Sequence, residues 1–383
     1  MTPAARVQTA IELLDPILAG EPAERVLTQW ARASRFAGSK DRAAVRDHVY
    51  DALRQRNSAA ASGGGENGRA LMIGLLRLQG IDPESIFSGE GYAPSALSSE
   101  EMKGAVSKAI DLPEWIVPEF KSSLGSDFEA VEAALKDRAP VILRANLRKT
   151  TRAKATEALS GEGILTKSHT ASESALEVTQ GARQIRNSKT YRDGLVELQD
   201  AASQAAIDLL PMDEVIRTLD YCAGGGGKLL AMAGRGKGAF FAHDAIESRL
   251  RDLPERAKRA GVKARVLKSA DLTKQDPFDL VFCDVPCSGT GTWRRDPDAK
   301  WKLTRESLDK TLSLQLKILT EAQNFVSKDG YLSYATCSLL NCENRNQIDR
   351  FLKQSGEWNL IDDHSWTPLD GCDGFYTALL KRC

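Results

Sequence analysis

Five short apolar runs in the second half of the chain, at residues 215–222, 239–243, 263–267, 278–284 and 331–335, alternate with helical patterns such as 246–260 and 306–326. No other feature narrows the fold so far. Strands alternating with helices imply a mainly parallel sheet covered on both faces. Ligands of such sheets bind beyond the carboxyl ends of the strands. Residues 197–383 are therefore expected to form one α/β domain.

Upstream the texture differs. Residues 141–147 (V-I-L-R-A-N-L) and 175–179 read as strands and 151–160 as a helix, which suggests a small α+β module over 139–196. Residues 1–60 read as all-α: Val7, Ile11, Leu14 and Leu18 recur every three to four positions, and Val45, Val49 and Leu53 every four. Between these regions, 61–138 is read as linker and helical segment. The small, polar run at 57–68 is expected to be a flexible connector, with helices at 71–78 and 100–110. A length of 383 residues accommodates such a multi-domain arrangement.

Composition excludes several classes. No run of about 18 apolar residues could cross a membrane, and the first twenty residues lack the charge and apolar pattern of a secretion signal. A cytoplasmic chain is expected. Seven cysteines, all from Cys222 onward, include no C-x-x-C pair, and none of the four histidines lies near the cysteine clusters. Free thiols are expected, and no metal site. Lys and Arg total 52 against 52 Asp and Glu, but three stretches are basic: 30–57, 138–192 and 249–268. Each reads as the solvated face of a helix or, together, as a track for a phosphate backbone. Arg144, Arg148 and Lys149 would carry the second stretch's share.

The run L-D-Y-C-A-G-G-G-G-K, ending at Lys228, falls where the first strand of the sheet should give way to a helix. Glycines there let backbone amides approach a ligand. A phosphate loop would need glycine at 222 and Ser or Thr at 229, where Cys222 and Leu229 stand, and G-x-G-x-x-G also fails. Asp244 follows the glycines by about twenty residues, the place of a ribose-binding acid. It could also simply cap the next helix, but its distance from the glycine loop favours the ribose role.

Two segments are more specific: F-D-L-V-F-C-D-V-P-C-S-G-T-G-T-W-R-R-D-P-D at 278–298 and Y-A-T-C-S at 334–338. Each places a cysteine just beyond a strand, among small residues, where packing alone explains it poorly. These segments, with L-P-E-W-I-V-P at 112–118, V-I-L-R-A-N at 141–146, Q-D-A-A-S-Q at 199–204 and D-G-F-Y at 373–376, resemble the Sun/RsmB-type family of RNA cytosine-5 methyltransferases. The resemblance runs from about Leu112 to the end. S-R-F-A-G-S-K-D-R at 34–42 resembles the NusB-like helical domain of bacterial members. Where the family's cofactor loop usually reads C-A-A-P-G-G-K, Gly224 and Gly225 replace Ala and Pro.

The resemblance implies a Rossmann-like class I methyltransferase domain, preceded by the α+β module and a NusB-like RNA-binding domain at 1–60. It implies S-adenosyl-L-methionine held by Cys222, Ala223, Gly224, Gly225, Gly226, Gly227 and Lys228, by Asp244 at the ribose, by Asp271 near the adenine, and by Asp284. Asp271 also reads as a plain loop carboxylate. Carbon 5 of cytosine becomes nucleophilic once a thiolate adds to carbon 6. Chemistry alone leaves the attacking cysteine open, since DNA cytosine methyltransferases use a Pro-Cys pair, which would point to Cys287. The family resemblance selects Cys337 as nucleophile, Cys287 for product release, and Asp284 for base recognition and charge stabilisation. The implied product is 5-methylcytosine in 16S ribosomal RNA, made by a monomer. A transfer RNA methyltransferase and a non-catalytic RNA-binding scaffold with a degenerate cofactor loop are the alternatives.

Overall fold

The computed structural model describes all residues from 1 to 383. The chain divides into two compact units. The first consists of Met1–Lys121, Ser126–Arg138 and Trp293–Thr304; the second of Ser122–Gly125, Ala139–Thr292 and Arg305–Cys383.

The first unit is helical. Helices α1 (Pro3–Leu18), α2 (Ala23–Ala33), α3 (Ser39–Arg54), α4 (Arg56–Gly63) and α5 (Gly68–Leu78) enclose a core that includes Leu14, Val45, Val49, Leu53 and Leu71. The Thr2 side chain caps α1 by accepting from the Ala5 amide, and Asn67 caps α5 in the same way through Ala70. The expected flexible connector is instead mostly α4. Its small residues serve close packing: a Cβ on Gly63 would lie 1.8 Å from the Ala70 carbonyl oxygen, and one on Gly74 would lie 1.9 Å from that of Ala59. Helices can approach this closely only where side chains are absent or minimal.

The helix expected at 100–110 is also shorter, covering only Ser99–Met102. The chain beyond it runs without regular structure beside α4, where the serines meet its backbone polar groups. Ser62 Oγ donates to the Ser107 carbonyl (2.8 Å), Ser58 Oγ donates to that of Ala109 (3.0 Å), and the Ser58 amide donates to Asp111 Oδ1 (3.0 Å). The segment Trp293–Thr304, which follows the first cysteine motif in sequence, completes this unit. Lys300 is buried and donates to the carbonyls of Arg54 (2.8 Å) and Asp111 (2.7 Å), while the Trp301 indole donates to that of Leu53 (2.7 Å). The last carbonyls of α3 are thereby satisfied. Asp298 accepts from the Ala23 amide (3.0 Å) at the start of α2.

The second unit holds two sheets. Strands β1 (Ile142–Ala145), β2 (Leu165–Ser168), β3 (Ala175–Gln180) and β4 (Val196–Leu198) form an antiparallel sheet in the order β2-β3-β1-β4, with helix Arg152–Gly161 between β1 and β2. Strand β2, L-T-K-S, is largely exposed and carries too few apolar residues to be legible beforehand.

The larger sheet comprises β5 (Arg217–Asp220), β6 (Ala239–Ala242), β7 (Ala264–Val266), β8 (Phe278–Asp284), β9 (Val326–Thr336), β10 (Trp358–Trp366) and β11 (Phe375–Arg382), in the order β10-β11-β9-β8-β5-β6-β7. The strands from β7 to β9 are parallel, and β11 and β10 extend the β9 side antiparallel. The central strands are covered on both faces and so are largely apolar: in β8, Leu280 and Phe282 enter one core while Val281 and Cys283 enter the other. The expected helix at 246–260 starts with a 3-10 segment, Glu247–Asp252, and becomes α-helical at Leu253–Ala260, with Pro254 in its first turn. Strand order reverses at β5, and this places a ligand crevice beyond the carboxyl ends of β5, β6 and β8.

Candidate active site

The chain turns sharply after β5. Gly224 and Gly226 have φ of 48° and 76°, left-handed values that side chains disfavour, and a Cβ on Gly226 would meet Leu253 at 2.2 Å. Nothing lies within 4 Å of a Cβ built on Gly224. Helix Gly227–Arg235 then begins with its amides facing the crevice end. At the end of β6, Asp244 accepts from the Gly224 amide through one oxygen (3.0 Å) and from the Ile246 amide through the other (2.9 Å). It thus braces the glycine turn and caps its own turn together. His243 packs against Tyr221 in a tilted arrangement, ring centroids 4.7 Å apart, and bonds to Ser269 Oγ at 3.0 Å.

A cavity of about 740 Å³ opens here, of a size suited to a small ligand. Its wall includes the glycine turn, Lys228, Asp244, Asp284 and Cys287, which the sequence singled out, and also Gln199, Asp220, Tyr221 and His243, which it did not. Asp271 is not part of this wall. It pairs with Lys274 (2.9 Å) and its side chain is 42% exposed.

The parallel register of β8 and β9 sets Asp284 opposite Ala335. The two cysteine loops therefore leave the sheet side by side, with Cys287 Sγ 3.3 Å from Cys337 Sγ. The hydrogen bond to Cys337, together with burial, holds the Cys287 thiol well above its ordinary range. Lys228 Nζ donates to Asp284 Oδ2 at 2.6 Å. Burial opposes the lysine charge, but the Asp284 carboxylate outweighs it and raises the lysine above its usual value. Asp220 is buried with neither carboxyl oxygen in a hydrogen bond. Burial, then the nearby Asp284 charge, push it up to about 8 against the opposing pull of the Lys228 ammonium. Cys283 and Cys372 are packed into the cores, Cys342 is half-buried and Cys383 is exposed. No group of three or more His, Cys, Asp or Glu side chains is arranged to hold a metal ion.

The basic stretches are partly consumed by structure. Arg144 is buried and donates to Gln199 and to the Gly227 carbonyl; Arg148 donates to the Ala233 carbonyl (2.9 Å); Lys149 donates to those of Asp193 and Arg259. Arg144 and Arg148 thus tie the smaller sheet to the helix after the glycine turn and Lys149 ties it to helix Leu253–Ala260; of the three only Arg144 is buried, while Arg148 and Lys149 stay exposed. Arg259 pairs with Glu197 at 2.6 Å. Lys154, Arg183 and Arg186 of the second stretch are exposed.

Comparison with known proteins follows the same division. Residues 206–380 match the family described as 16S rRNA methyltransferase RsmB/F, and residues 112–184 match its ferredoxin-like domain. A ribosomal RNA small subunit methyltransferase B from Vibrio cholerae is 31% identical over 283 residues, covering 70% of this chain and 65% of that protein. One from Enterobacter sp. is 32% identical over 286 residues, with 70% and 66% covered. The matched region thus spans about two thirds of these relatives. Among solved structures, PH0851 matches with a TM-score of 0.77 at 20% identity, covering 100% of this chain and 99% of that one. NSun6 from Pyrococcus horikoshii with SFG matches at 0.62 and 16% identity, covering 70% and 98%. These likenesses establish the fold alone, a Rossmann-like α/β domain. With its glycine turn and both cysteine loops inside the matched region, the chain belongs to the RsmB/F family.

Proposed function

We propose that the protein methylates carbon 5 of a cytosine in 16S ribosomal RNA, using S-adenosylmethionine and a covalent cysteine adduct. The observation that carries this reading is the pair of thiols 3.3 Å apart, on loops that leave adjacent parallel strands, beside a half-buried lysine–aspartate pair. The cofactor's fit rests on the glycine turn, the open space at Gly224 and the orphaned Asp220 carboxyl, which suits an ammonium group. Gln199, Asp220 and the turn would hold its amino-acid part, and Asp244 its ribose. When bound, S-adenosylmethionine supplies a methyl group on a sulfonium.

The family resemblance assigns Cys337 as the nucleophile, acting as a thiolate after its proton passes to solvent, while the bond to Cys337 and burial favour the protonated form of Cys287. The Cys337 sulfur bonds to carbon 6 as the carbon 5–carbon 6 double bond opens, and charge moves toward ring nitrogen 3 and oxygen 2. Asp284, anchored by Lys228, accepts from the amino group of the cytosine and, once it has taken up a proton, donates it to ring nitrogen 3, which stabilises that charge. After methylation, Cys287, once its own proton has passed to water, takes the proton from carbon 5. The bond from Cys337 to carbon 6 then breaks and restores the ring. Every group named belongs to one chain, so the protein acts as a monomer in this reading, on cytoplasmic ribosomal RNA. No helix is long and apolar enough to cross a membrane. The helical unit, with its NusB-like segment at 34–42, serves RNA binding.

A denaturing gel after incubation with RNA and cofactor tests the thiol roles. Cys287→Ala should retain covalently bound RNA and Cys337→Ala should show none; the reverse pattern would exchange the assignments. S-adenosylmethionine should raise the melting temperature of the wild type, and less so that of Asp244→Ala. Absence of binding by calorimetry would favour the scaffold alternative. Bisulfite sequencing of RNA from a deletion strain separates a ribosomal from a transfer RNA target.

A further inference from the structure

The two cysteine loops are tied together by a carboxylate that lies outside both motifs. Glu343 is fully buried. Its Oε1 accepts from the Ser288 amide (2.8 Å) and from Gln315 Nε2 (3.0 Å), and its Oε2 accepts from the hydroxyls of Ser288 and Ser338. Ser288 directly follows Cys287, and Ser338 directly follows Cys337. Each thiol is therefore one peptide away from a residue gripped by the same side chain.

Other bonds brace the arrangement. Gln315 also donates to the Pro286 carbonyl (2.9 Å), the Tyr334 hydroxyl donates to the Glu343 carbonyl (2.6 Å), and the Gly291 amide donates to the Cys337 carbonyl (3.0 Å). A carboxylate only accepts, and a buried one is tolerated where its oxygens are satisfied. Well-packed apolar side chains commonly stabilise as much as buried charge does. Packing alone therefore does not account for a buried carboxylate whose donors come from the residues flanking both thiols.

We propose that Glu343 is a positioning residue: by gripping Ser288 and Ser338 together it fixes Cys287 and Cys337 at the separation that attack and proton removal require. The reaction part of this inference rests on the roles given to the thiols above.

Two measurements on Glu343→Ala and Glu343→Gln test it. In steady-state methylation, Glu343→Ala should lower kcat by about tenfold to hundredfold, the scale of a misplacement near 1 Å. KM for RNA and the affinity for cofactor should stay near wild type. Glu343→Gln keeps one oxygen acceptor and an amide that can donate to both hydroxyls, and should recover most of the lost kcat. Independently of RNA and cofactor, diamide takes two electrons and two protons from a thiol pair and leaves a disulfide. Peptide mass mapping should find the Cys287–Cys337 disulfide forming rapidly in wild type and Glu343→Gln, and at least about tenfold more slowly in Glu343→Ala.

Because Glu343→Ala leaves buried donors unpaired and lowers stability, Ser288→Ala is the second variant, with folding verified by circular dichroism. It should slow both kcat and disulfide formation in the same direction. Wild-type kcat and wild-type disulfide rates in both Glu343→Ala and Ser288→Ala would overturn the proposal. Slow disulfide formation in the variants of a protein that methylates no RNA would leave the clamp standing and sink the reaction assigned to the thiols.

Discussion

The Asp220 carboxyl is the most strained charge in the site, because its folded pKa of about 8 lies far above the ordinary carboxylate range near 3.9. Between these values the folded chain holds a proton that the unfolded chain has released. The residue's contribution is therefore most favourable below about pH 4 and is lost as pH rises toward 8. Asp220→Asn, neutral at every pH, should melt closest to wild type near pH 4 and increasingly above it as pH rises to about 8, with the gap level beyond that. A gap independent of pH in fluorimetric melts would refute this. The same substitution should weaken S-adenosylmethionine, since an amide offers no charge to an ammonium. The residue types of the site were legible in the sequence: Asp284, Cys287 and Cys337 stand in recognisable motifs. Their partners were not, because Lys228 and Asp284 are 56 positions apart and Ser288 and Glu343 are 55, and only the sheet register brings them together.

Helices α4 and α5 show why small residues misled the reading of elements. A run rich in Ala, Ser and Gly resembles a linker by composition, yet here it permits backbone-to-backbone packing through Gly63 and Gly74. Gly74→Ala should cost at least about 1–3 kcal/mol in urea denaturation, the range for overpacking a filled interface. A change below that range would mean the helices can part freely. The parallel strands were legible because burial on both faces makes them continuously apolar, whereas β2 was not. Charge was misread in the smaller sheet, since composition cannot tell a buried arginine from an exposed one. Arg144→Ala should lower stability by about 2 kcal/mol, as loss of a charged donor does, and leave the salt dependence of RNA binding unchanged. Replacing Arg183 and Arg186 together should reduce that salt slope by about 1–2. Filter binding across salt concentrations separates the two cases.

On the scale of the whole molecule, the segment Trp293–Thr304 departs most from a reading in which domains follow one another along the chain. It leaves the sheet unit just after the first cysteine loop, seals the end of α3 through Lys300 and Trp301, and returns at Arg305. Lys300→Met should cost about 1–3 kcal/mol of local stability, because two carbonyls lose a donor. Hydrogen exchange should quicken at the end of α3 and through α4, while β8 and β9 keep their protection. Equal quickening in the sheet would contradict the assignment of the segment to the helical unit. The same topology bears on biosynthesis. A domain ordinarily folds as soon as all of it clears the ribosome. Here the carbonyls of Leu53 and Arg54 wait for donors that lie 248 and 246 residues downstream. At usual elongation rates, residues 139–304 take roughly 10–30 s to be made, and for that interval the nascent helices remain an unfinished substrate for chaperones.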